Sequence, residues 1–371
     1  MSLKEIFCQD KAVSTLQKAF ASGRIAHAYI FAGMDGIGKF KTAYEFARLM
    51  LCENPVKDND FFDSCGNCRS CLAFDAGSHP DFSHIYKELL EFTKDGKDKT
   101  TPIDLSIHVV REFLIDKVSI KPVLSERKIY IVSETEKLNI NSQNACLKVL
   151  EEPAPYCCII SLCSRPDKLL PTIKSRCQTI RFGPVSEEKI TERLLQEGLA
   201  EEIAKFFARL SLGSIGTAIN WARLESQGAQ IFETKKELIK ILSNLQYDQA
   251  LTAAEQFLTM GKQITETWSK LDEQISKKDI NRRAQKTIIQ IVISALSDTI
   301  RLSVTPGEPL INFDQEQQIR KIADKFSPEQ AGVKIADAYR SIQWLDSNVN
   351  EKLIFEQLLL NLAVSDKIAV S

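Results

Sequence analysis

A parallel α/β domain carrying a phosphate-binding loop, followed by an all-helical second half, is the fold class that this 371-residue sequence predicts. Three observations predict it. From Leu3 to about Gly183, short apolar strands alternate with helical stretches. Gly33-Met34-Asp35-Gly36-Ile37-Gly38-Lys39-Phe40 fits G-x-x-x-x-G-K and follows one of those strands. From about Gln227 to the end, the apolar spacing is helical almost throughout.

The strands expected in the first region are Tyr29 to Ala32, Phe82 to Tyr86, Ile129 to Ser133, Cys158 to Cys163 and Gln178 to Phe182. From Ser186 to about Ala222 the sequence reads as short helices, with a capped start at Ser186-Glu187-Glu188 and breaks at Gly198 and Gly213. Runs such as Leu238, Ile241, Leu242 and Leu245, then Ile288, Ile291, Val292, Ala295 and Leu296, predict a separate helical bundle after that. The domain division is therefore 1–183, 184–226 and 227–371. Lys94-Asp95-Gly96-Lys97-Asp98-Lys99 reads as a solvated loop.

Hydrophobic residues make up 44% of the chain, enough to fill several cores. The 48 basic and 49 acidic residues leave a net charge of -1, which argues against a strongly basic DNA-binding surface. No apolar signal-peptide region follows Met1-Ser2-Leu3-Lys4-Glu5, and the longest apolar stretches, such as Ile288 to Ile300, are too short and too polar to span a bilayer. The reading is cytoplasmic, without a membrane. Ten cysteines in a reducing compartment read as thiols and metal ligands rather than disulfides.

Gly33, Gly36, Gly38 and Lys39 offer backbone and a cation that could cradle phosphate at a helix N-terminus, the alternative being a structural strand–helix turn that binds nothing. The next position should be Ser or Thr, whose hydroxyl binds magnesium, and it is Phe40. Thr42 lies two residues further along, rotated by about 200° on a helix, and cannot substitute. A later strand normally ends in an Asp that gives the second metal contact; here that position is Ser133, and alternation turns Glu134 away. Phosphoryl transfer leans heavily on that ion, so hydrolysis of ATP by this chain is not expected, and nucleotide binding is expected to be weak at most.

Cys52, Cys65, Cys68 and Cys71 form C-x12-C-x2-C-x2-C, a set that can wrap one tetrahedral ion, with zinc as the expected metal. Three cysteines at intervals of three in a polar segment are not explained by core packing. Four protein ligands leave no open position, so the role is structural, and neither His79 nor His84 is needed as a ligand. Cys146 falls in a helix; Cys157, Cys158 and Cys163 fall in or beside a strand.

Several segments together resemble the bacterial clamp-loader proteins of the AAA+ class, and among them the delta-prime type of the DNA polymerase III clamp loader. They are Arg24-Ile25-Ala26-His27-Ala28-Tyr29, the cysteine cluster, Gly77-Ser78-His79-Pro80-Asp81, the stretch Asn144 to Pro153 containing Leu150-Glu151-Glu152-Pro153, Ser175-Arg176-Cys177 and Asn348-Val349-Asn350-Glu351-Lys352-Leu353. The resemblance covers most of the chain. It implies a degenerate AAA+ core with a zinc-bearing insertion, a small helical lid and an all-α collar. The motor subunits of the class carry a sensor arginine that aligns with Gly216, so three departures, at Phe40, Ser133 and Gly216, favour the delta-prime type. The first cysteine gap and the loop from Glu91 to Thr101 look longer than the family's.

By itself Arg176 reads as a surface arginine paired with a carboxylate; by the same resemblance, it reaches the ATP of a neighbouring subunit as an arginine finger. The expected partners are gamma/tau-type and delta-type subunits in a hetero-oligomeric ring, with the sliding clamp and primed DNA reached through the complex. The alternative within the class is an active gamma/tau-type motor subunit, which the missing metal contacts oppose. A stand-alone zinc and DNA-binding module is opposed by the net charge, and a small-metabolite P-loop kinase by the long helical C-terminal half.

Overall fold

A computed structural model of the chain describes residues 2–93, 104–272, 275–347 and 349–364. The expected solvated loop at Lys94 to Lys99, most of the long loop ending at Thr101, and Asn348 lie outside the described residues. The chain forms two compact units: residues 1–185 with Ser214–Gly216, and residues 186–213 with 217–371.

The first unit runs α1 (Asp10–Ala21), β1 (Ala28–Ala32), α2 (Lys39–Leu51), β2 (Val56–Asp58), β3 (Phe61–Asp63), α3 (Arg69–Asp75), β4 (Phe82–Ile85), α4 (Ile107–Val110), α5 (Asp116–Val118), β5 (Lys128–Val132), α6 (Ile140–Glu151), β6 (Cys157–Cys163), α7 (Pro171–Lys174) and β7 (Gln178–Arg181). The main sheet has the order β4-β5-β6-β1-β7, with every pairing parallel. Each expected strand is present within a residue of its expected ends. β1 and β5 are buried along their whole length, as parallel strands covered by helices on both faces must be. On one face, α1 and α2 close a core around Leu16, Phe31, Phe46 and Ile160; on the other, Val109, Val149 and Leu150 cover Ile30, Tyr130 and Ile159. Parallel pairing puts the carboxyl ends of the strands on one edge, where Gly33, Tyr86 and Ser133 follow β1, β4 and β5.

The long first cysteine gap has a structural use. Its residues form the antiparallel hairpin β2-β3, which Gln17 of α1 fastens by accepting from Phe62 N and donating to Phe62 O, both at 2.8 Å. Phe20 packs on Phe62 with ring centroids 5.5 Å apart.

The second unit is helical: α8 (Glu187–Gln196), α9 (Glu201–Leu210), α10 (Ile215–Ser226, whose first two residues count with the first unit), α11 (Ile231–Asn244), α12 (Ala250–Leu271), α13 (Lys277–Val304), α14 (Glu316–Ala323), α15 (Pro328–Asp346) and α16 (Glu351–Ala363). Gly198 and Gly213 break helices at φ of 89° and 93°, as expected. Ser186 does stand at the N-cap of α8, but its side chain makes no capping bond to the backbone, so that part of the capped start is corrected. α13 is long and apolar enough to cross a membrane by length and composition, yet it packs against α12, α14 and α15 and is the central helix of the bundle. Its buried Asp298 accepts from Ile311 N at 2.9 Å and Asn312 N at 2.7 Å, which pins the following loop. Two cations bind α8, α9 and α11 to the segment that follows α13. Arg209 of α9 donates to Glu187 (2.6 Å) and Leu310 O (2.5 Å), and the buried Lys235 meets Asp314 at 2.5 Å beneath the Phe206 and Phe232 rings.

Candidate functional site

The phosphate loop has the expected strand, loop and helix context, with Gly36 and Gly38 at φ of 75° and 100°. A Cβ on Gly33 would come within 2.7 Å of Phe182 O, so glycine there permits close backbone approach. Lys39 does not project from the loop. Its Nζ donates to Gly33 O (2.5 Å) and Met34 O (2.6 Å) and lies 3.3 Å from Asp35, so the lysine neutralises the loop's own oxygens. Ser214 Oγ donates to Asp35 O and Gly216 N to Gly36 O, both at 2.7 Å, and a Cβ on Gly216 would stand 2.8 Å from Gly36 O. At the position aligned with the sensor arginine, the backbone itself therefore bonds to the loop.

The two positions that lack metal ligands converge on one residue that sequence reasoning left without a role. His84 Nε2 lies 2.8 Å from Ser133 Oγ, and the Phe40 ring sits 4.8 Å from the imidazole, which also packs on Tyr86 at 4.9 Å. Burial lowers the His84 pKa to about 4, so the ring is neutral at physiological pH. Thr42 turns back to Gly38 O at 2.9 Å, as the rotation argument requires. Glu134 is also unavailable, for a reason other than the expected alternation. The strand ends at Val132, Glu134 has φ of 52°, and its carboxylate pairs with Lys137 at 2.5 Å. An aromatic and imidazole cluster thus stands where oxygen ligands would be.

Cys52, Cys65, Cys68 and Cys71 are brought together, with their four Sγ atoms all within 4.8 Å of one another. Cys52 Sγ is 3.5 Å from Cys65 Sγ and 3.9 Å from Cys68 Sγ. Backbone N–H groups of Cys65, Cys68 and Cys71 donate to the sulfurs of Cys52, Cys65 and Cys68 at 3.3 to 3.4 Å, an arrangement that favours thiolate. Burial pushes the Cys68 thiol up, but hydrogen bonds from the Cys71 and Glu53 amides and from neighbouring thiols outweigh it and bring the value down to about 7. Burial raises Cys71 and Cys52. This donor set fits a single tetrahedral metal ion.

The module is braced by residues whose roles the sequence did not reveal. Arg48 of α2 bonds Asp75 of α3 at 2.7 Å. Ser70 Oγ donates to Leu51 O at 2.5 Å and lies 2.9 Å from His79 Nε2, while His79 Nδ1 accepts from Asp81 N at 3.1 Å. Both ring nitrogens are thus engaged by protein, which agrees with His79 not being a ligand. Asp81 is fully buried and accepts from the N–H groups of Val123, Leu124 and Ser125 at 2.7 to 2.8 Å. The only sequence signal was the Gly77 to Asp81 segment itself, whose partners lie about forty residues away.

Arg176 follows α7 at the surface and remote from the cysteines in sequence. Its Nη2 meets Glu151 Oε1 at 2.7 Å and its Nη1 donates to Thr172 O at 3.0 Å, with 35% of the side chain exposed.

The strand order β4-β5-β6-β1-β7, with a degenerate phosphate loop at the end of β1 and a helical second unit, fits the AAA+ class. The family model described as "DNA polymerase III, delta subunit" matches residues 8–186, and "DNA polymerase III, delta subunit, C terminal" matches residues 248–363. DNA polymerase III subunit delta-prime of Bacillus subtilis is 24% identical over 357 residues, 95% of this chain and 96% of that protein. The Escherichia coli subunit delta-prime is 30% identical over 244 residues, 63% of this chain and 68% of that protein. DNA polymerase III subunit tau of Bacillus subtilis is 31% identical over 200 residues, 54% of this chain and 32% of that protein. The chain belongs to the DNA polymerase III delta-prime subunit family.

Proposed function

We propose that the protein serves as an ATPase-silent subunit of the clamp loader, helping to load the sliding clamp on primed DNA and lending Arg176 to the ATP site of an adjacent gamma/tau-type subunit. The observation that carries this reading is the contrast between the two sites. Phe40, His84 and Ser133 fill the place of the metal ligands, whereas Arg176 stays at the surface with its planar guanidinium. A planar guanidinium suits the charge that spreads over a transferred phosphoryl group. With Lys39 folded onto its own loop, its Nζ would have to leave three contacts before it met the phosphate of a nucleotide at Gly33, Gly36 and Gly38.

Residues 184–226 would act as the lid and 227–371 as the collar that holds the chain in a ring with gamma/tau-type and delta-type subunits, in the cytoplasm. Arg209 bonding to Leu310 O, and Lys235 Nζ seated 4.8 Å from the Phe206 ring, support a lid and collar that move as one piece. Zinc is the metal we assign to the four cysteines. Zn–S bonds of about 2.3 Å imply sulfurs about 3.8 Å apart at the corners of a tetrahedron, and the Cys52 distances of 3.5 and 3.9 Å bracket that value. The ion would tie the hairpin to α3 and needs no part in the chemistry.

The test is to assay magnesium-dependent ATP turnover by the pure chain, then by the ring reconstituted with gamma/tau-type and delta-type subunits, clamp and primed DNA. No turnover alone, and clamp loading that fails when this chain is omitted, is the expected result. Steady turnover by the pure chain, abolished by Lys39→Ala, would make it a motor subunit instead.

A further inference from the structure

We propose that Glu151 is a positioning residue for Arg176, holding the guanidinium at the height and angle from which it meets a neighbour's phosphates; this rests on the trans reading of Arg176. α6 grips the segment that carries the arginine at two separate points. Near its start, the buried Gln143 accepts from Leu170 N at 2.8 Å and donates to Lys168 O at 3.2 Å, fixing the entry to α7. Between the grips, Ile173 packs into the core beside Cys146. At its last residue, α6 presents Glu151 to Arg176 Nη2 at 2.7 Å while Thr172 O takes Nη1 at 3.0 Å. The arginine is therefore aimed by its own turn and by the end of a helix that is fastened to that turn elsewhere.

Helix electrostatics make the carboxylate hard to explain otherwise. A negative charge at a helix C-terminus faces the negative end of the dipole, so Glu151 does nothing for α6 by itself. Its compensation is the guanidinium. The pair is also weak enough to be useful, because Glu151 is 48% exposed and Arg176 35% exposed, and half-exposed ion pairs are strongly screened. Such a carboxylate restricts the rotamers of a long side chain without neutralising it in a dry site. The guanidinium has five N–H donors in a fixed fork, so donors remain for phosphate oxygens after Glu151 and Thr172 are served. Pre-ordering of this kind lowers the entropy lost when the arginine engages its target.

The experiment uses the complete ring carrying Glu151→Ala, Glu151→Gln, Arg176→Ala or the Glu151→Ala/Arg176→Ala pair, with subunit composition and urea midpoint checked for each. ATPase stimulated by primed DNA is the readout. We expect Glu151→Ala to reproduce about half or more of the loss seen in Arg176→Ala, through kcat and not KM for ATP. Glu151→Gln, whose amide oxygen still accepts an N–H, should keep most of the wild-type rate. Glu151→Ala should add no further loss once Arg176 is gone. A wild-type rate for Glu151→Ala beside an impaired Arg176→Ala overturns the positioning role and leaves the trans arginine standing. A raised rate for Glu151→Ala, or a full additional loss in the double variant, overturns it too, as restraint or an independent effect. A wild-type rate for Arg176→Ala removes the trans reading and the positioning role together.

Discussion

His84 Nε2 and Ser133 Oγ lie 2.8 Å apart, on the strand ends where an AAA+ motor would place oxygen around magnesium. An imidazole pressed against Phe40 and Tyr86 fills the volume, and its polar edge is satisfied by the serine.

That arrangement predicts a pH dependence. Burial depresses the His84 pKa to about 4 from the ordinary histidine value of about 6.5, so the folded state binds the proton less well than the unfolded chain. The stabilisation from keeping it neutral is complete above about pH 6.5 and is lost as pH falls through 4, amounting to up to about 3 kcal/mol. Denaturant unfolding of wild type and His84→Phe at several pH values should show a gap between the two slopes over that window. Parallel slopes would mean that His84 titrates normally.

Asp81 makes a second stability prediction. Its carboxylate is the acceptor for three consecutive backbone N–H groups, those of Val123, Leu124 and Ser125. Asp81→Ala removes the acceptor of three part-buried N–H groups and should cost roughly 3 kcal/mol, with Asp81→Asn, which keeps one acceptor oxygen, losing less. Urea midpoints rank the two; equal and small losses would show that water replaces the carboxylate freely.

The cysteine cluster should retain about one zinc per chain through purification without added metal. Cys68→Ser is expected to lose most of it, and limited proteolysis should then cut between Cys52 and Asp75 while the sheet stays protected. Full metal content in that variant would sink the assignment.

What the sequence made legible follows periodicity and local spacing. Continuous apolar runs located β1 and β5, and a spacing of three gathered Cys65, Cys68 and Cys71 around one point. The roles of His84, Asp81 and Gln143 were hidden because each depends on a partner 25 to 49 residues away, and a polar residue bears no local mark of what it will bond. Lys39 was read as a phosphate ligand from its motif; that it folds back on Gly33 and Met34 is a property of the loop's backbone, which the motif does not encode. The long cysteine gap, visible only as extra length, proved to be a hairpin clipped to α1 by Gln17.

The central claim is that a chain with a silent site of its own activates a neighbour through Arg176. Clamp loading and ATPase by a reconstituted ring containing Arg176→Ala test it most directly. An arginine finger is worth about 10³ to 10⁵ in rate at its site. The ring as a whole should lose less, since only one interface is damaged. Arg176→Lys should rescue poorly, because an ammonium keeps the charge but not the planar fork. Impaired loading with intact assembly is the predicted result. Wild-type loading and ATPase in a ring verified to contain the Arg176→Ala subunit would contradict it and leave the protein a purely structural member of the complex.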